Sequence, residues 1–395
     1  MRVLMLGWEL PPHNSGGLGV ACYQLCKSLA KNNVDIEFVL PYVTDQKNEF
    51  MKIHSTSPVS YKDFIHKLNV YEGSKYLATH EITDEQLSYE DSVSDIATYG
   101  AYDIIHAHDW LTFRAAIRAK KATGLPMILH VHSVESDRAG GEYGHPMIRE
   151  IESLGLMMAD KIIAVSERTR QSIANDYNIP LDKISVVHNS VDIDELDVLD
   201  DENIYQYLEL LKNKGYNIVT NIGRLTIQKN ITGLLHAAKE VIAVIPKTIF
   251  LIVGSGDQYH EIISLSADLG IFQNVIFTGF QRGKAWRDAF GIADLFVMPS
   301  VSEPFGITPL EAINYGTPSL VSNQSGVSEV FKSCLKVNFW DKDEMANQIV
   351  GFLRSKGLQN SLRMNAEIEL GKMSWDKSAK KMVKEYEIHA RGALV

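Results

Sequence analysis

With 395 residues the chain is longer than one hydrophobic core usually organises, and at roughly 150 residues per domain it holds two or three domains. Hydrophobic residues at 45% and charged ones at 22% exclude a disordered chain, and a net charge of −10 excludes a general nucleic-acid binder, whose phosphate affinity comes from clustered Lys and Arg. No uninterrupted apolar run approaches the ~18 residues of a membrane span. The three cysteines, Cys22, Cys26 and Cys334, fit no disulfide framework.

The opening residues, MRVLMLGWELPPH, read as a strand and a turn rather than a leader, and a cytoplasmic protein is expected. Short β-branched runs then recur, each followed by a stretch of helical periodicity, which is the pattern of βαβ units around a parallel sheet. The first series of strands is expected near Val3–Leu6, Ile36–Leu40, Ile104–His106, Met127–His130, Ile162–Val165 and Ile184–Val187, with helices such as Leu18–Lys31 and Leu111–Lys120 between them. Residues 45–100 carry weaker patterning and read as an insertion or an irregular hairpin and helix.

The acidic stretch VDIDELDVLDDEN at Val191–Asn203 has no strand pattern and marks the domain boundary. Beyond it a second series follows: Ile218–Asn221, Ile249–Val253, Val275–Thr278, Leu295–Met298 and Ser319–Val321, with helices at Ile231–Val244 and Met345–Leu353. The expected domains are 1–195, 196–372 and a closing amphipathic helix within 373–395, centred on Ser374–Ala390.

Four segments carry candidate chemistry. Ser15-Gly16-Gly17-Leu18-Gly19 lies between the first strand and first helix, where backbone N–H groups can meet an anion; a tight turn explains it equally well. Gly223-Arg224-Leu225-Thr226-Ile227-Gln228-Lys229-Asn230 follows the first strand of the second series, so both cations sit at a strand's carboxyl end, the ligand edge of a doubly wound sheet. The alternative there is two solvated surface cations.

Pro299 through Glu311, PSVSEPFGITPLE, places Glu303 and Glu311 at a fixed interval across a loop and a helix start. Such carboxylates accept hydrogen bonds from vicinal hydroxyls, while amides near Gly306–Thr308 donate. The histidines pair as His106-Ala107-His108-Asp109-Trp110 and His130-Val131-His132-Ser133, each after a strand with both members on one face. His-x-His is common without metal and no third ligand has convincing spacing, so no metal is expected, and His108 and Asp109 read first as buried structural groups. Cys22 and Cys26 read as small buried hydrophobes.

Together these segments resemble the retaining glycosyltransferases of the GT-B type, in the family that includes glycogen and starch synthases and many mannosyltransferases. The most distinctive part is the Glu-x7-Glu segment ending in Glu311-Ala312, followed by Tyr315-Gly316-Thr317-Pro318. The resemblance implies two Rossmann-like domains facing across a cleft, a nucleotide-sugar donor, a saccharide acceptor and no cofactor. It implies that Arg224 and Lys229 hold the donor diphosphate, Glu303 the sugar hydroxyls and Glu311 the ribose. Phe305, Gly306, Ile307 and Thr308 complete the donor loop, Gly16 and Gly17 cradle phosphate from the first domain, and His132 lies beside the transferred sugar. HAHDW is similar to a segment of glycogen synthases.

By the same resemblance, the reaction retains anomeric configuration through front-face attack, with glucose the first candidate and no metal needed. Three departures leave donor base, sugar and acceptor open: Asn14-Ser15-Gly16-Gly17 stands where bacterial glycogen synthases have Lys-x-Gly-Gly, Asn189-Ser190-Val191-Asp192 replaces Asn-Gly-Val-Asp, and the chain is shorter than a typical bacterial glycogen synthase. Mannosyl or other hexosyl transfer is the nearest alternative. A nucleotide-sugar epimerase or a non-catalytic binding protein are the alternatives outside the transferases.

Overall fold

The computed structural model describes residues 1–13, 16–44, 48–68, 84–191 and 202–392. Asn14, Ser15, Asp192, most of the acidic boundary stretch and parts of 45–100 lie outside the described residues. The chain divides into two compact units, one of Met1–Arg138, Glu142–Ser190 and Ser374–Val395, the other of Ala139–Gly141 and Val191–Met373.

The first unit is built on a seven-stranded parallel sheet of β1 (Arg2–Leu6), β2 (Asp35–Leu40), β3 (Lys52–Ser55), β4 (Ile104–His108), β5 (Met127–Val131), β6 (Lys161–Ala164) and β7 (Ile184–Val186). Their spatial order is β3-β2-β1-β4-β5-β6-β7. β1, β4 and β5 are buried almost end to end, as strands covered by helices on both faces must be. β3 departs from the sequence expectation: residues 52–55 pair in parallel with β2 as the sheet's edge. Lys-Ile-His-Ser is half exposed there, so it carries too little apolar pattern to be read as a strand.

The helix Gly17–Lys31 packs against the closing helix Trp375–Gly392, whose Trp375, Ala379, Met382 and Tyr386 are buried in the first unit's core. The core is continuous through Leu4, Phe38, Ile105, Phe113 and Ile162.

The second unit holds a six-stranded parallel sheet of β8 (Asn217–Ile222), β9 (Thr248–Val253), β10 (Val275–Gly279), β11 (Leu295–Met298), β12 (Ser319–Ser322) and β13 (Leu335–Val337), ordered β10-β9-β8-β11-β12-β13. β13 has only three residues, too short for its periodicity to register in the sequence. The helix Ile231–Val244 packs on the helix Lys342–Arg354 over a core of Leu234, Phe250, Leu295 and Phe352. Both units are doubly wound. Strand order reverses between β1 and β4 in the first and between β8 and β11 in the second, which fixes where loops at the carboxyl edge part to admit a ligand.

Candidate functional site

In the second unit, the two segments singled out by sequence leave the two strands that flank its switch point. Residues 223–230 follow β8 and residues 299–311 follow β11. Asn221, within β8, donates through Nδ2 to the Val297 carbonyl at 2.9 Å. Gln228 then joins the loops: its Nε2 donates to Ser302 O at 3.0 Å and its own carbonyl accepts from Val301 N at 2.9 Å. Asn230 takes the left-handed conformation at φ 54°, caps the helix Ile231–Val244 through Gly233 N, and donates from Nδ2 to the carbonyls of Pro299 and Phe339.

This scaffold sets Lys229 Nζ 2.5 Å from Glu303 Oε2, the same oxygen that accepts from Ser300 Oγ at 3.0 Å. Glu303 is buried at 8% exposure, and its backbone is held by Gln324 O and Gly326 N. Arg224 is half-buried and, among the described residues, has no hydrogen bond or ion pair. The loop after β8 therefore offers one committed cation and one uncommitted one.

Gly306 has φ +84°, and Phe305 is buried with its carbonyl accepting from Val327 N. Ile307 precedes the helix Thr308–Asn314 without a side-chain cap. Glu311 lies in that helix's first turn, half-buried and without a side-chain partner among the described residues, and burial pushes its carboxyl up to about 7.

Sequence reasoning passed over Gln228 and Asn230, and also Gly254 and Gly256. A Cβ on Gly254 would lie 1.8 Å from Gly223 O, and one on Gly256 2.3 Å from Leu225 O, so the loop after β9 lies backbone to backbone against the Arg224 loop. The Gly-Ser-Gly at the end of a strand was the available signal.

The first unit holds Gly16, Gly17 and His132. Gly16 is the N-cap of the helix Gly17–Lys31 with no side-chain cap, and Glu9 Oε1 accepts from Gly19 N at 3.2 Å in its first turn. After β4, Asp109 stands at φ 57° and its Oδ1 accepts from His132 N at 2.6 Å and Ser133 N at 3.4 Å. Arg138 binds Ser133 from the other side, through O at 3.2 Å and Oγ at 2.8 Å, and pairs with Glu135 and Glu152. Burial lifts the Asp109 carboxyl to about 7 and lowers the His132 imidazole to about 3.

His132 Nε2 is 2.9 Å from His108 Nδ1, and parallel register between β4 and β5 gathers His106, His108, His130 and His132 into one stacked array. Spacing along the sequence offered no third ligand for either pair; strand pairing supplies neighbours that spacing cannot show.

Among the described residues, no helix is long and apolar enough to cross a membrane. Residues 208–368 match the model for glycosyl transferases group 1, and residues 15–195 match the model for glycosyltransferase family 4. The chain is 30% identical to an uncharacterised glycosyltransferase of Methanocaldococcus jannaschii over 98% of both proteins. It is 26% identical to the glycogen synthase of Mycobacterium tuberculosis over 83% of this chain and 80% of that one. The structure of Anabaena HepE in complex with UDP and glucose aligns with a TM-score of 0.72 at 18% identity, covering 98% of this chain and 99% of HepE. Two doubly wound units, a family model on each and a full-length relative establish the chain as a member of the group 1 glycosyltransferases, with the fold of the GT-B type.

Proposed function

We propose that this glycosyltransferase moves a hexosyl group, glucose first among the candidates, from a nucleotide diphosphate sugar to a carbohydrate hydroxyl with retention of configuration, in the cytoplasm and without a metal at the diphosphate. The observation that carries the reading is the Lys229–Glu303 pair beside an uncommitted Arg224 at the switch point of the second unit. Two cations there balance the charge that develops on a leaving diphosphate.

In this reading Lys229 and Arg224 bind the diphosphate, Glu303 accepts from the sugar hydroxyls and Glu311 from the ribose. Lys229 exchanges its carboxylate partner for phosphate as the donor enters, which frees Glu303 for the sugar. Phe305, Gly306, Ile307 and Thr308 shape the donor loop. Gly16 and Gly17 offer backbone N–H groups to phosphate and His132 faces the transferred sugar. The leaving phosphate takes the acceptor's proton, so no protein nucleophile is needed. Glucose is supported by the glycogen synthase relative and by the UDP and glucose held by HepE. Mannosyl or other hexosyl transfer stands as the second reading, because Asn14-Ser15-Gly16-Gly17 and Asn189-Ser190-Val191-Asp192 depart from the glycogen synthase pattern.

The test is nucleotide release from a panel of UDP-, ADP- and GDP-hexoses, with and without oligosaccharide acceptors, and anomeric analysis of the product. Acceptor-dependent release with retained configuration is the expected result. Epimerised donor without acceptor, or inversion at the anomeric carbon, overturns the reading.

A further inference from the structure

The array of four histidines in the first unit is more than the transfer reaction uses. β4 and β5 run parallel in a register that sets His108 opposite His130, and His106 lies two residues before His108 on the same face. His106, His108 and His130 are each at most 1% exposed, and one ligand atom from each lies within 4.8 Å of the others. Ring centroids are 4.5 Å apart for His106 and His108, 5.1 Å for His108 and His130, and 5.4 Å for His106 and His130.

Both ring nitrogens of His130 and Nε2 of His106 are buried without a hydrogen-bond partner among the described residues. A buried polar atom without a partner is destabilising, and most find one. Neutral imidazole carries one N–H and one lone pair, so His130 offers one orphaned lone pair and His106, with its Nδ1–H turned to Tyr386, a second; together they point to a ligand that accepts nitrogen lone pairs.

The outer nitrogens of two rings are already held. His106 Nδ1 meets the Tyr386 hydroxyl on the closing helix, and His108 Nδ1 is 2.9 Å from His132 Nε2. This is the arrangement that orients metal-bound imidazoles, one nitrogen for the ion and the other for a partner. Met5 Sδ lies 3.1 Å from His108 Nε2. A donor set of imidazoles and a thioether, with no carboxylate in it, suits a soft or borderline cation and not Mg²⁺ or Ca²⁺.

We propose that His106, His108 and His130 form a buried site for one d10 cation, Zn²⁺ or Cu⁺, with the Met5 thioether at its edge. Zinc-to-imidazole distances of about 2.0–2.1 Å mean that the ligand nitrogens draw inward as the ion binds. The site lies wholly within the first unit, behind His132, and its role is to fix β4 to β5. The proposal is independent of the donor assignment, because it is read by metal content and not by glycosyl transfer. A second set, Cys22, His108 and His132, shares His108 and is the competing position.

The test uses the full chain, stripped with a chelator and then titrated with Zn²⁺ against a chromophoric chelator and, without oxygen, with Cu⁺ against bathocuproine. About one ion per chain is expected, with a rise in Tm on loading. His130→Phe and His106→Phe should each lose at least about tenfold in affinity, whereas Cys22→Ser should bind as the parent does. Where a phenylalanine variant does not fold, X-ray absorption of the loaded parent decides: an imidazole shell supports the site, and a thiolate shell places the ion on Cys22 and overturns it. The proposal also fails if neither ion binds, or if His130→Phe retains the parent's affinity, which would mark an adventitious ion only.

Discussion

A methyl group on Gly306 would lie 2.9 Å from Cγ of Glu303. Gly306 also has φ +84°, a left-handed backbone that a residue with a Cβ resists. The loop after β11 thus closes over Glu303 only because position 306 has no side chain. Gly306→Ala is expected to cost about 1–2 kcal/mol in stability from backbone strain. It should lower kcat/KM further, because Glu303 is displaced from Lys229. Chemical denaturation set beside donor kinetics measures both; a variant with parental kcat/KM would show that the loop's shape is immaterial.

Arg224 and Lys229 separate a binding role from a structural one. Arg224 has no partner among the described residues, so Arg224→Ala should leave Tm unchanged while reducing kcat by about 10²–10³, the scale for removing one charge-stabilising donor. Lys229→Ala should show a similar kinetic loss together with a lower Tm, since the buried Glu303 carboxylate loses its cation and keeps only the Ser300 hydroxyl on that oxygen. Unchanged turnover in Arg224→Ala would remove that residue from the diphosphate site.

Under the proposed function, Glu311 should give the donor affinity a pH dependence. Burial pushes its carboxyl up to about 7, and the ionised carboxylate accepts more strongly from ribose hydroxyls than the neutral acid does. Donor affinity should therefore climb as pH rises through 7 and level off above it. Glu311→Gln should bind more weakly at pH 8 and lose this dependence. For stability the sign is opposite: the folded pKa lies above the ordinary value of 4.5, so the folded chain holds the extra proton, and Glu311 destabilises progressively from about pH 4.5 to 7. Relative to the parent, Glu311→Gln should gain stability across that window, which denaturation at a series of pH values would read.

Asp109 holds the start of the loop after β5 by accepting from His132 N and Ser133 N. Asp109→Ala leaves those amides without their acceptor and should cost about 1–3 kcal/mol, while Asp109→Asn, which keeps a carbonyl oxygen in place, should cost less. Equal losses in the two variants would assign the effect to the carboxylate's charge near Arg138 and not to the hydrogen bonds.

The closing helix is part of the first unit's core. Met382 is fully buried, and Met382→Ala should cost about 2–5 kcal/mol. Proteolysis that clips this helix should likewise unfold the first unit, observed as loss of its cooperative transition.

Much of this protein was determined by its sequence alone. Hydrophobic runs such as Ile249–Val253, buried on both faces, and their alternation with helical periodicity announced two doubly wound units, because a strand covered on both sides must be apolar along its length. The segments around Arg224, Glu303 and His132 could be placed at strand ends from the sequence, because each follows a β-branched run. What only the tertiary structure decided are the relations across strands. Lys229 meets Glu303 across 74 positions of sequence, Gln228 staples two loops, and His130 comes beside His106 and His108. β3 escaped detection since an exposed edge strand needs no apolar pattern. Periodicity records only which face of an element is buried; partners are chosen by strand order, and strand order is set by the packing of helices over the whole sheet.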